Sequence, residues 1–329
     1  MRNFIAGFPL KGSNLTLTLI AIVGVAVLGV ASNGGIFSET GIQGFLSYLS
    51  VPILIGLAQM TVLGIGQLNL AIGAMGGTVC ALMAVLMADG AMPVPLALLI
   101  GLVAATVIGA INGILVVVTG LHGFIVTLGT MTILMGIQFA IIGSRTVSEY
   151  SEALRNFGRQ NLAGIPYLFI ATMVIAVLTW IYFSRTVSGR QLLASGGSEV
   201  AARLSGISNP RSTVVAYSVS GLLTGFAALA SIASLTGINI SVGTDWLLPS
   251  FAAPLIAGVL LTGGSVAVYG TIIAACILRI VDIGRVQFLL EPSWTYFVIG
   301  AVVLSTVAIS EYRKRRKTTM LSKRGKVNS

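Results

Sequence analysis

Long apolar runs recur along the chain, separated by short polar or glycine-rich breaks. Ten stand out, at residues 14–31, 48–65, 69–88, 93–118, 123–143, 166–183, 213–235, 248–263, 266–284 and 294–310. They are apolar on all sides rather than along one stripe. A helical span needs about 20 mostly apolar residues to cross a hydrocarbon core of about 30 Å. Backbone groups in lipid must be satisfied internally, which leaves helices or a closed barrel, and the runs lack the alternating segments of barrel strands. The pattern predicts an all-α polytopic membrane protein with about ten transmembrane helices. Tight turns are expected where residues 119–122 divide the fourth run from the fifth, and where Gly263 and Gly264 divide the eighth from the ninth. The first run follows Arg2 and Lys11. It is long for a signal peptide and has no convincing cleavage site, so it reads as an uncleaved first helix.

The polar positions inside this pattern are few. GQLNLAIG (66–73) follows the second run and GINISVGT (237–244) follows the seventh. In both, an Asn (Asn69, Asn239) is followed by an aliphatic residue, a small one, another aliphatic one and Gly. Five spans separate the two helices that precede them, so these helices run in opposite directions. An inverted repeat of spans 2–5 and 7–10 is expected, a plan in which polar sites form where helices break. Gln59, Gln67, Asn69, Asn112 and Gln138 are amides within or beside the later spans. Amides donate and accept without attracting ions, which suits a neutral, hydroxylated solute. Gln59, Gln67, Asn69, Asn112, Asn239 and Ser241 are the candidates for a solute path. At a helix break such amides satisfy freed backbone groups, touch the solute, or do both.

Composition strengthens the membrane reading. Of 329 residues, 56% are hydrophobic and 9% charged, against roughly 25% charged in a soluble domain. The net charge of +10 is unevenly spread. With the N-terminus inside and ten spans, the inside segments hold fourteen of the 19 basic residues, eight of them in the tail RKRRKTTMLSKRGK. The outside segments hold Glu39, Asp89, Glu149, Glu152, Asp245 and Glu291. Basic residues favour the cytoplasmic side, so both termini are expected there. The tail reads as an anchor that also attracts anionic lipid; nucleic acid is not an expected partner. Cys80 and Cys276 lie in apolar runs with no disulfide or metal spacing, and His122 is a single histidine with a structural reading.

No carboxylate lies clearly in the middle of a span, which weakens proton coupling, because such groups mark ion pathways. Arg279, Asp282 and Arg285 are spaced three apart near the outer end of span nine, on one helical face where they can pair. They are an interfacial ion ladder or a contact for an extracytoplasmic partner. Residues 184–211 form the longest inside loop, in which AARLSG suggests a short helix closed by Gly206. That is a natural docking element for an ATPase, and the chain itself has no GxxxxGK[ST] phosphate loop.

Three stretches resemble the permease subunits of bacterial ABC importers for ribose and related sugars, distantly akin to branched-chain amino acid permeases: GLHGFIVTLGTM (120–131), TVSGRQLLASGGSEVAARLSGI (186–207) and, more weakly, LLTGGSVAVYGT (260–271). The resemblance covers nearly the whole chain. It implies a non-enzymatic transport subunit that binds no cofactor. ATP and Mg would sit on a separate ATP-binding subunit, a second permease would complete the path, and an extracytoplasmic binding protein would deliver a monosaccharide, polyol or autoinducer-2-like solute. The matching positions for ATPase contact are Gly189, Arg190, Gly196, Gly197, Glu199, Ala201, Ala202, Arg203, Leu204 and Gly206. Two departures stand out. Asn69 replaces the acid of the family's GIDLSVG, and Val281-Asp282-Ile283-Gly284, flanked by Arg279 and Arg285, replaces its LNNG. They favour a heterodimer of unlike permeases over a homodimer. Residues 1–312 are read as one permease domain containing the coupling loop 184–212, and 313–329 as a basic cytoplasmic tail. A stand-alone facilitator or secondary transporter is the alternative.

Overall fold

The computed structural model describes residues 12–88, 91–148, 150, 152–289 and eight positions between 291 and 305. The expected tenth span lies mostly outside these residues, and the basic tail and the basic residues ahead of span one lie wholly outside them. Twelve α-helices are described: α1 Gly12–Ala31, α2 Glu39–Leu63, α3 Ile72–Met87, α4 Val94–Thr119, α5 Gly123–Ile142, α6 Glu152–Arg159, α7 Tyr167–Arg185, α8 Val187–Gly197, α9 Glu199–Leu204, α10 Asn209–Ser234, α11 Leu247–Ile256 and α12 Val268–Gln287. A two-residue antiparallel hairpin, Asn161–Leu162 with Ile165–Pro166, precedes α7. Among the described residues, α2, α4, α5, α7 and α10 are long and apolar enough to cross a membrane. Leu15–Ala31, α3 and α11 are shorter apolar helices. The chain is a multi-pass, all-α membrane protein.

Burial sorts the helices. The most apolar window is 72% buried in α2 and 67% in α10, but only 22–28% in α4, α5 and α7. The α2/α10 pair is the protein's centre. On the outer helices Val103 and Val107 of α4 and Val174 and Leu178 of α7 are exposed, which is stable only where the solvent is lipid.

Three expectations need correction. The second span is longer than expected and begins at Glu39, after Ser38 caps it by accepting from the Gly41 N–H at 3.1 Å. The eighth span is a half-length helix, α11, of ten residues. At 1.5 Å per residue it covers about 15 Å, half a bilayer core. Pro254 lies inside it, and Gly258 follows in the left-handed region with φ +82°. Residues 184–211 are largely helical rather than a loop. Thr186 caps α8 and Ser198 caps α9, each accepting from a backbone N–H three residues on, and Gly206 closes α9 with φ +76°. His122 proves to be the N-cap of α5, its Nδ1 accepting from Phe124 N–H at 3.2 Å.

Candidate functional site

Two breaks in the helical pattern build the site. The first, residues 64–71, joins α2 to α3. Asn69 Oδ1 accepts from the Ala71 N–H at 3.0 Å, a local turn that replaces a helical one. Its Nδ2 donates to Ser220 Oγ of α10 at 3.4 Å. The Tyr217 hydroxyl donates to the Leu68 carbonyl at 2.8 Å, and the Leu70 N–H to Thr127 Oγ1 at 3.0 Å. Gln67 Oε1 accepts from the Gly123 N–H at 2.7 Å, at the start of α5. Side chains of α5 and α10 thus supply what the missing helical turns would have.

The second break, residues 235–246, joins α10 to α11. Asn239 Oδ1 accepts from both the N–H and the hydroxyl of Ser241, at 3.0 and 2.8 Å. It is the same turn as at Asn69. Gln138 of α5 donates its Nε2 to the carbonyls of Ile240 and Val242, at 3.3 and 3.1 Å. Val147 and Ile238 pair antiparallel through two N–H···O bonds of 2.9 Å. The Tyr150 hydroxyl donates to the Leu235 carbonyl, tying the α5–α6 connection to the end of α10. Burial raises the Tyr150 pKa, opposed by the charge of Arg155, so the phenol stays a donor at neutral pH. The two breaks touch through the glycine that ends each Asn motif. Gly243 has φ +92°, and a Cβ on Gly73 or Gly243 would overlap the other's carbonyl.

Beside the second break lies a cavity of about 650 Å³, a size suited to a small organic solute. Tyr48, Pro52 and Ile55 of α2 line one wall and Ser231 and Ser234 of α10 another. Asn239 and Ser241 lie on the break itself, and α12 presents Arg279, Asp282 and Arg285. Asp282 bonds both arginines, Arg279 Nη1 at 2.6 Å and Arg285 Nη2 at 3.4 Å. The Arg279 guanidinium also lies 5.0 Å from the centre of the Tyr48 ring, a cation–π contact.

At the other end of α10, α8 and α9 form a separate surface. Asn209 bridges them, accepting from Ser195 Oγ at 2.9 Å and donating to the Glu199 carbonyl at 3.0 Å. Val200 and Leu204 of α9, one turn apart, are 71% and 85% exposed. α8 is seated against the end of α2: Gly196 lies directly on the Gly64 carbonyl, which accepts from the Gly264 N–H at 2.9 Å.

The model of the family described as "Branched-chain amino acid transport system / permease component" matches residues 41–307. The chain belongs to this family. It is 29% identical to the D-allose transport system permease protein of Escherichia coli K12, over 89% of this chain and 90% of that one. It is 31% identical to the ribose import permease protein of Haemophilus influenzae, over 89% of each chain. With the fructose import permease protein of Rhizobium meliloti it shares 27% identity, over 90% of this chain and 85% of that one. No solved structure matches.

In this permease component the residues expected along a solute path divide. Asn239 and Ser241 line the cavity, together with Arg279, Asp282 and Arg285. Gln67 and Asn69 do not reach it and are held in backbone bonds. Gln59 and Asn112 are buried, and no hydrogen-bond partner meets either polar atom of either side chain. An orphaned buried polar group costs about 1–3 kcal/mol. The positions matching the coupling segment all fall on α8, α9 or the Gly206 turn; Gly189 and Ala202 are buried there, while Arg190, Glu199, Arg203 and Leu204 are exposed. Tyr48, Ser231, Ser234 and Trp246 line the cavity but were not legible as site residues. Tyr48 and Ser231 sit in runs that read as plain helix, and the one sequence signal beside them is Pro52, a turn after Tyr48.

Proposed function

We propose that the chain is the membrane-spanning subunit of an ATP-driven ABC importer and forms the path of a monosaccharide or a chemically similar neutral solute. The observation that carries this is the position of the two surfaces. The hydroxyl- and amide-lined cavity and the exposed α8–α9 surface stand at opposite ends of α10, a helix of 26 residues, about 39 Å long. One surface suits a hydroxylated solute and the other a driving subunit. The relatives named for allose, ribose and fructose support the sugar class.

In this reading both termini are cytoplasmic and the protein sits in the bacterial inner membrane with the cavity facing outward. The two Asn breaks are the matching parts of an inverted repeat. Their identical turns, their meeting at Gly73 and Gly243, and their position after helices expected to run in opposite directions support it. α8–α9 docks an ATP-binding subunit, which holds ATP and Mg; Leu204 and Val200 supply the apolar contact, with Glu199 and Arg203 beside them. A binding protein delivers the solute over the cavity mouth, near Arg279, Asp282 and Arg285. A second, unlike permease completes the path.

The test is affinity purification of the tagged chain from native membranes in mild detergent, with each co-purifying chain identified. Recovery of an ATPase and a second, different permease is expected. Absence of any ATPase, even after cross-linking from a cysteine placed at Ser198, contradicts the proposal.

A further inference from the structure

Ile55 is the furthest residue along α2 that lines the cavity, and Gln59 lies four residues further along the same helix. Four residues put it on the same face, about 6 Å deeper. Tyr48, Pro52, Ile55 and Gln59 therefore form one column, of which the first three already line the cavity. Gln59 is fully buried, and both its Oε1 and its Nε2 lack any hydrogen-bond partner. Asn112 is orphaned in the same way, but its helix, α4, contributes nothing to the cavity lining. The packing around the column is small: Gly56 meets Ala253 of α11 and the Thr271 methyl of α12. Pro52 removes the helical bond that would reach the Tyr48 carbonyl, which makes it the point where α2 bends most easily.

We propose that Gln59 is the solute's next binding group inward of the cavity, occluded in this conformation by Ile55. When α2 bends at Pro52, Ile55 leaves the floor and the carboxamide takes a hydroxyl-bearing solute, donating from Nε2 and accepting at Oε1. This rests on the transport reading above and adds a residue and an order of contacts to it. It also explains why an amide with no partner is kept in a fully buried stretch of α2.

Two measurements on the full complex test it. In a chain with Cys80 and Cys276 changed to Ser, Gln59→Cys is exposed to a membrane-impermeant thiosulfonate, without nucleotide and with Mg-ATP and vanadate. Tyr48→Cys in the same background is the control. Labelling of Tyr48→Cys in the resting state, and of Gln59→Cys only in a nucleotide-bound state, is expected. Gln59→Cys unlabelled in every state, with Tyr48→Cys labelled, overturns the proposal; this readout does not depend on which solute is carried. Separately, Gln59→Leu fills the same space without polar atoms. A melting temperature equal to or above that of the parent, with uptake reduced more than tenfold, is expected. Uptake retained at the parent level shows that Gln59 does not bind solute, whereas a parent complex that moves no sugar at all argues against the transport reading instead.

Discussion

Asn69 and Asn239 occupy matching positions in two short motifs and fold into the same turn, yet their surroundings differ. Asn69 is fully buried and bonds inward to Ser220 and its own backbone. Asn239 is half-buried and faces the cavity beside Ser241. The local sequence specifies the turn in both cases. What the side chain then meets depends on the neighbouring helices. At the first break α5 and α10 close over Asn69 through Thr127 and Tyr217. At the second, Gln138 supports the break from behind and leaves its other side open. One break is a fixed joint and the other is part of the site.

The most severe way to break this comparison is to separate the two joints. Gly243→Val forces a branched side chain into a left-handed position against the Gly73 backbone. Backbone strain of about 1–3 kcal/mol adds to overpacking of about 1–3 kcal/mol, and loss of the folded chain on size-exclusion chromatography is expected. Next in size, Asn69→Ala lowers stability by about 1–3 kcal/mol, because the buried Ala71 N–H and Ser220 hydroxyl each lose a partner. Asn239→Ala costs less than about 1 kcal/mol, since water reaches that turn, but reduces uptake more than Asn69→Ala does per folded molecule. Thermal melts in detergent paired with uptake assays separate the two. Equal profiles for both variants would remove the distinction between joint and site.

Leu204→Asp leaves the melting temperature unchanged, since the side chain is 85% exposed, and lowers ATPase recovery in pull-downs by about tenfold or more, as expected when a charge enters an apolar contact. The smallest effect is Asp282→Asn. Its pairs with Arg279 and Arg285 are partly exposed, so a change below about 1 kcal/mol is expected, read as a small shift of the melting temperature.

Much of this was legible in the sequence. Apolar runs located most of the helices, and AARLSG with Gly206 located α9. The half-length α11 was not legible, because its apolar run continues through Val259–Leu261 although the helix stops at Ile256. The spacing of Arg279, Asp282 and Arg285 showed one helical face but not that the face turns toward Tyr48 and the cavity. Likewise the amides were legible as unusual, whereas their division among backbone support, cavity lining and burial without partners depends on which helices pack together. A linear sequence does not carry that pairing until the fold is known.

The most direct test of the central claim is sugar uptake into proteoliposomes containing the co-purified complex, with the loaded binding protein outside and ATP inside. The expected result is accumulation that requires ATP, is lost when the ATPase subunit is omitted, and falls sharply with Asn239→Ala. Transport at the same rate by the chain alone, without ATP, would contradict the claim.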